Sequence, residues 1–248
     1  MAKYRIVRSA RYWELRRKEY AFHDLNLLKA LPSAIAPKVL ELLPKSTSQL
    51  RQDIFALSQL NFKTNGFFVE FGATNGIDNS NSALLERGFG WSGILAEPDT
   101  RWHRDLKANR TAKIDTRCVS ARSGETVSFT ATSRGENSGM ASHVGLRRRL
   151  QGQTYEVETI SLNDLLAEHG APEVIDYISI DTEGSEAMIL EALDFSRWKF
   201  GVATIEHNFD PQRERIHKVM TENGYQRVLE EVSQFDDWYV QPEVVAAF

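Results

Sequence analysis

The chain has a single cysteine, Cys118, in 248 residues. That excludes an internal disulfide and any CxxC metal knuckle. No apolar run approaches the ~18–20 residues needed to span a bilayer. The charged, aromatic start has no apolar h-region, so no signal peptide is expected despite Arg16-Arg17. A basic surplus is missing too: the net charge is −4, whereas duplex binders usually carry a positive excess, so no nucleic-acid partner is expected. The glycine turn from Gly72 to Gly76 is neither a G-x-G-x-x-G dinucleotide fingerprint nor the Gly-Lys-Ser/Thr of a triphosphate loop. Internal repeats and low-complexity tracts are also absent. What remains is a chain expected to be soluble and cytoplasmic, 42% hydrophobic, long enough for one sizeable core and an extension.

The most telling stretch is Phe67-Phe68-Val69-Glu70-Phe71-Gly72-Ala73-Thr74-Asn75-Gly76. Its apolar run reads as a strand buried on both faces. Glycines follow, then the helix-capping residues Asp78 to Ser82, then a short helix, Ala83 to Arg87, stopped by Gly88. Strand, glycine turn and helix make the first half of a nucleotide-binding unit. The next strand, Gly93 to Ala96, ends in Glu97, about twenty residues after the glycines, where a ribose diol finds its acceptor. Thr74 stands where a pyrophosphate would need the middle glycine. Glu70 would repel phosphate and attract a cation. Ribose and adenine without phosphate, plus positive charge, describe S-adenosylmethionine, a sulfonium with an ammonium.

Further elements follow in order: Ser48 to Asp53, Val69 to Ala73, Ser80-Asn81-Ser82, Gly90 to Pro98, Ile180-Asp181-Thr182-Glu183-Gly184-Ser185-Glu186, and Ile205-Glu206-His207-Asn208. Over about residues 48 to 240 the chain resembles the FkbM-type family of S-adenosylmethionine-dependent methyltransferases. The resemblance implies an α/β fold with a doubly wound, mainly parallel, seven-stranded Rossmann-like sheet over residues 48–248, preceded by a helical extension, 1–47. It implies cofactor contacts from Glu70, Gly72, Ala73, Asn75 and Gly76, from Ser80 and Asn81, from Glu97 and Pro98, from Val119 and Ser120, and from Asp181. No acidic residue follows the third strand in Cys118-Val119-Ser120-Ala121-Arg122 to hold an adenine amino group, so backbone groups or Ser120 would have to serve.

Along the rest of the chain, Arg5, Arg8, Arg11, Arg16, Arg17 and Lys18 lie among Tyr4, Tyr12, Trp13 and Tyr20. This reads as a solvated helix lying on the domain or on a second subunit, which would make a homo-oligomer; a sticky helix for a membrane surface or an anionic glycan is the alternative. No integral membrane contact is expected. Arg101 to Arg110 reads as a helix and Lys113 to Ser120 as a third strand. Thr126 to Thr130 and Tyr155 to Thr159 could pair. The polar stretch Ser133 to Gly152, with Arg147-Arg148-Arg149, reads as the loop that shapes the acceptor pocket. Ser161 caps a helix to Glu168. Asp210-Pro211 starts another, and Tyr225 to Val232 with Asp237 to Gln241 form a last antiparallel pair.

Methyl transfer to a hydroxyl requires removal of a proton. His207 is the candidate base by residue type, with Asp181 as the alternative or as the group orienting His207, and Glu183 facing the substrate. Glu186, at a helix start, reads as a partner of the helix dipole. Asp181, Glu206 and Asn208 also form a hard-oxygen set that Mg²⁺ would suit, so the metal stays open. The expected activity is O-methylation of a hydroxyl on a sugar, glycan or glycosylated metabolite. Its competitors are an NAD(P)-dependent oxidoreductase on the same type of sheet, which Thr74 disfavours, and a non-catalytic adaptor. The chain has no Pro-Pro, and so no Asn/Asp-Pro-Pro-Tyr/Phe signature of adenine or glutamine N-methylation.

Overall fold

The computed structural model describes residues 9–132, 138–142 and 152–245, with side chains from residue 18 onward. Its strands are β1 (Phe67–Phe71), β2 (Ser92–Ala96), β3 (Lys113–Asp115), β4 (Cys118–Ser120), β5 (Thr126–Ala131), β6 (Gly139–Met140), β7 (Gln153–Ser161), β8 (Val174–Ile180), β9 (Lys199–Glu206), β10 (Gln226–Val228) and β11 (Asp236–Val240). The helices are α1 (Ser9–Ala30), α2 (Ala36–Leu42), α3 (Gln52–Gln59), α4 (Ala83–Phe89), α5 (His103–Asn109), α6 (Leu162–Glu168), α7 (Glu186–Glu191), α8 (Gln212–Glu222), α9 (Glu230–Ser233) and α10 (Pro242–Val245).

Seven strands form one sheet in the order β3-β2-β1-β8-β9-β11-β10. Only β11 runs against the rest, antiparallel to both β9 and β10. The sheet is therefore mixed, with a single reversed strand near one edge. Both faces of β1 are buried, as its continuous apolar run requires. Val69 and Phe71 join a core with Leu165, Ile189 and Ile216 from α6, α7 and α8. Phe68, just before them, points into the opposite core with Ile54, Leu85 and Leu106 from α3, α4 and α5. Strand order reverses between β1 and β8, and ligands bind such sheets at the carboxyl ends beside that reversal.

One expected strand is broken in two. The Asp115 carboxylate accepts the Arg117 N–H at 2.9 Å and the Arg117 guanidinium at 2.6 and 3.0 Å, which turns the chain after β3. Residues 118–120 thus leave the main sheet and pair in parallel with β7 in a second sheet, ordered β4-β7-β5-β6. There β5 and β7 pair antiparallel, Thr126 opposite Glu158. The last hairpin is also shorter than the sequence suggests. Leu229, at φ 54, turns the chain out of β10 into α9.

Ser161 accepts the Asp164 N–H as the cap of α6, and Asp210 accepts the Gln212 N–H at 3.0 Å where α8 begins. Helix α1 packs through Leu27 into the core shared by Ile54, Tyr177 and Trp238. His23 bonds the Leu50 carbonyl at 2.9 Å, and Asp24 pairs with Arg51 at 2.8 Å. No helix among the described residues is long and apolar enough to cross a membrane.

Candidate active site

The turn after β1 is shaped around Glu70. Gly72, Thr74, Gly76 and Asn79 all adopt positive φ. The loop then folds back so that the buried Glu70 carboxylate accepts the Asn81 N–H at 2.7 Å, the Ser80 hydroxyl at 3.0 Å and the Ser82 hydroxyl. Buried Arg110 reaches in from the end of α5, 3.7 Å from Glu70, and donates to the Gly76 carbonyl and to Ser80 and Ser82. Glu70 is thereby committed to loop shape and is not a loose carboxylate awaiting a cation. Asn75 is spent likewise, its Oδ1 accepting the Ile77 and Asp78 N–H groups at 2.9 Å.

A cavity of about 580 Å³ opens at the carboxyl ends of β1, β2, β8 and β9. Glu70, Gly72, Asn81, Glu97, Pro98, Val119, Asp181, Glu183 and His207 from the sequence reading all line it. Ala73, Asn75, Gly76, Ser80 and Ser120 do not. Ala73 is in the core, Gly76 sits under Arg110, Ser80 serves Glu70, and Ser120 is buried in β4 opposite Ser161.

At one end Glu97, buried, accepts the Thr74 N–H at 2.7 Å and the Asp99 N–H at 2.8 Å. Burial pushes its carboxyl up to about 7, partly offset by those two N–H groups. Beside it stand Cys118, Val119, Phe129 and Met140, an apolar wall supplied largely by the second sheet. Burial holds the Cys118 thiol up at about 12, so it is no nucleophile at neutral pH. The described part of the expected acceptor loop lies at this end. Arg101 donates to the Thr132 carbonyl and to Ser138 while clamping Asp99, two residues from Glu97. Arg147-Arg148-Arg149 lie outside the described residues.

The other end is acidic. Asp181 ends β8, Glu206 ends β9, and Asp236 begins β11 opposite Glu206. Oxygens of Asp181, Glu183 and Glu206 lie within 4.8 Å of one another. Within that group the Asp181 charge bears directly on Glu206. Burial and the surrounding like charges push both carboxyls well above the usual range. Asp236 is held up at about 7 mainly by burial, and Gln52 donates to it at 2.9 Å from the start of α3. Glu183 joins Asp181 and Glu206 in that group, and Asn208, the third ligand expected from sequence, lines the same cavity. Glu186 staples the loop instead of merely meeting a helix dipole: its Oε1 accepts from Thr182 and Gly184 and its Oε2 from Gln212.

His207 requires a correction. Its Nδ1 accepts the Phe209 N–H at 2.9 Å, so the neutral ring carries its proton on Nε2. Nε2 is buried with no hydrogen-bond partner, 3.7 Å from Asp237. Burial lowers the pKa of the ring, against the pull of Asp237. With its one lone pair occupied, His207 is a donor here and not the base, and the carboxylate beside its Nε2 is Asp237, not Asp181. Sequence reasoning also missed Arg110, Asp236, Gln52 and Phe129. The only signal for Arg110 was its place at the end of a predicted helix.

The residues fit S-adenosylmethionine. A Cβ on Gly72 would intrude on the backbone of the next strand end. Asn81 Oδ1 is a buried acceptor without a partner on the cavity wall, suited to an ammonium. Seven carboxylates, those of Glu70, Glu97, Asp181, Glu183, Glu206, Asp210 and Asp236, line the cavity, and among the described residues no lysine or arginine does. A pyrophosphate would find no counter-charge there.

Three solved structures show the range of similarity. Precorrin-6y C5,15-methyltransferase from Geobacter metallireducens GS-15 is 11% identical, with 76% of this chain and 85% of that one covered at a TM-score of 0.42. Ribosomal protein L11 methylase from Lactobacillus delbrueckii subsp. bulgaricus is 12% identical, with 76% and 74% covered at 0.40. The CurJ carbon methyltransferase is 11% identical, with 96% and 72% covered at 0.40. Among curated proteins, none matches the sequence. The profile of the methyltransferase FkbM domain matches residues 70–227, most of the chain and nearly every element that builds the cavity, and the chain belongs to that family of S-adenosylmethionine-dependent methyltransferases.

Proposed function

We propose that the chain is an O-methyltransferase acting on a hydroxyl of a sugar-containing acceptor. The observation that carries this reading is the close group of Asp181, Glu183 and Glu206 carboxylates at the acidic end of the cavity. S-adenosylmethionine, when bound, supplies a methyl group on a sulfonium, an excellent leaving group. Glu97 is placed to accept from ribose hydroxyls and Asn81 Oδ1 from the ammonium. Cys118, Val119, Phe129 and Met140 offer a flat apolar surface to the base.

The acidic end has two tasks. It must position the acceptor, worth up to ~7–11 kcal/mol when geometry is right, and it must take the hydroxyl proton. Asp181 and Glu206 are a crowded, buried pair with raised pKa values, so an ionised member is a stronger base than an ordinary carboxylate. As the acceptor oxygen takes the methyl group, its proton passes to this pair and from there to solvent. An amine acceptor would be neutral only after losing a proton that this acidic wall would help it keep, which favours a hydroxyl.

The test is calorimetry with S-adenosylhomocysteine, followed by incubation with S-adenosylmethionine and a panel of neutral methyl glycosides, phenols and amines. A methyl ether on a glycoside, found by mass spectrometry, is expected. Transfer only to nitrogen or carbon would reject the hydroxyl reading, and a folded protein that binds no S-adenosylhomocysteine would reject the cofactor assignment.

A further inference from the structure

The turn after β9 presents an aromatic ring that the fold itself does not use. Asn208 and Phe209 are consecutive left-handed residues, at φ 46 and 58. For residues other than glycine this costs roughly 1–2 kcal/mol each, and it is rare for a bulky side chain. The turn is nonetheless tightly specified. His207 and Asn208 both donate to the Phe235 carbonyl at 2.9 and 3.1 Å, Asp210 N–H donates to the His207 carbonyl at 2.7 Å, and Phe209 N–H is held by His207 Nδ1. The result places Phe209 72% exposed, outside every core cluster, with its ring 5.4 Å from that of His207 at 75°. Asparagine or glycine would adopt this backbone more readily, and beyond its edge contact with His207 the phenyl ring joins no core cluster.

Its surroundings supply what a sugar needs. His207, Asn208, Asp210 and Gln212, on either side of Phe209, all line the cavity. Amides and carboxylates can bond vicinal hydroxyls, while the C–H face of a pyranose suits the negative face of an aromatic ring. We infer that Phe209 is a specificity-determining platform on which the acceptor's sugar ring stacks, with Asn208 and Asp210 bonding its hydroxyls. This rests on the reading of a sugar-containing acceptor, and it adds the residue that selects for one.

The experiment uses the full chain saturated with S-adenosylhomocysteine and saturation-transfer NMR against a panel of neutral methyl glycosides. The wild type should bind at least one glycoside, with saturation concentrated on the C–H protons of one face. Phe209→Trp should keep that binding, and Phe209→Asn should weaken it at least roughly fivefold. S-adenosylhomocysteine affinity should be unchanged in both. Phe209→Gly should melt no lower than wild type, since a ring with a structural role would lower it. Equal glycoside binding by wild type and Phe209→Asn would overturn the platform and leave the sugar reading standing, as would a destabilised Phe209→Gly. A wild type that binds S-adenosylhomocysteine but no glycoside would overturn the sugar acceptor and the platform with it.

Discussion

The backbone carbonyl oxygen of Asp181 lies 2.5 Å from where a Cβ on Gly72 would stand. The turn after β1 and the end of β8 are thus in backbone contact at the point where strand order reverses. Gly72 is also at φ +70, so any side chain there meets both a clash and a strained backbone. Gly72→Ala should therefore force Asp181 and the loop apart. S-adenosylhomocysteine binding should fall below detection in calorimetry, with a melting temperature several degrees lower. Wild-type affinity in this variant would mean that the cofactor does not use this contact.

Arg110 and Glu70 form the second such relationship. Arg110 is fully buried among Glu86, Glu70, Ser80, Ser82 and the Gly76 carbonyl. Removing one partner of a buried ion pair costs about 3–5 kcal/mol because the other charge is left uncompensated. Arg110→Met should lose stability on that scale in urea unfolding, and cofactor affinity should fall because the loop from Gly72 to Ser82 loses its anchor. Arg110→Lys should be intermediate, a point charge replacing a planar fork. A wild-type unfolding midpoint for Arg110→Met would refute the anchoring role.

These two cases mark how far the sequence could be read. The strand, the glycines and the helix after β1 were legible because burial on both faces and positive φ leave local signatures. The partners of those residues were not. Arg110 meets Glu70 through a loop closure 40 positions away in the chain, and Gln52 meets Asp236 across most of the chain. The third strand looked continuous because a short side-chain clamp, Asp115 on Arg117, has no periodicity to break. That clamp is what sends Cys118, Val119 and the second sheet to the cavity's apolar wall. For His207 the residue type pointed to a base, but its role is decided by a turn two residues long that occupies Nδ1.

Glu206→Gln separates a proton acceptor from a metal ligand. The amide keeps shape but cannot take up a proton. If the pair is the base, kcat should drop by ~10²–10⁴-fold with S-adenosylhomocysteine affinity nearly unchanged, and EDTA should leave wild-type turnover intact. His207→Ala should be milder, since its ring is a donor in this arrangement. Activity lost with EDTA and restored by Mg²⁺ would instead make Asp181, Glu183 and Glu206 ligands, as their spacing within 4.8 Å allows.

The last prediction concerns pH. Glu97 and Asp236 are raised to about 7 and Asp53 to about 6, and Asp181 and Glu206 are raised well above the usual carboxylate range, burial being the first cause in each case. An acid whose folded pKa exceeds its unfolded value binds more protons when folded. Its contribution to stability is full below the unfolded value near 4 and is lost as pH rises through the folded one. Several groups work the other way, Glu86, Asp115, Asp237 and His207 among them. His207, lowered by burial, favours the folded state above about 6.5 and loses that as pH falls, while Asp115, lowered to about 2, withdraws its support only as pH falls from about 4 towards 2. Between pH 5 and 8 the carboxyls outnumber the histidine, so the ligand-free protein should melt at progressively lower temperature as pH rises, by a few kcal/mol in total. Asp236→Asn should flatten that slope. S-adenosylmethionine should reverse part of it, binding more tightly at pH 8 than at pH 5, because a sulfonium and an ammonium favour ionised carboxylates. Melting curves that are flat or rising from pH 5 to 8, with an affinity independent of pH, would mean that the acidic wall is ionised and compensated before the cofactor arrives.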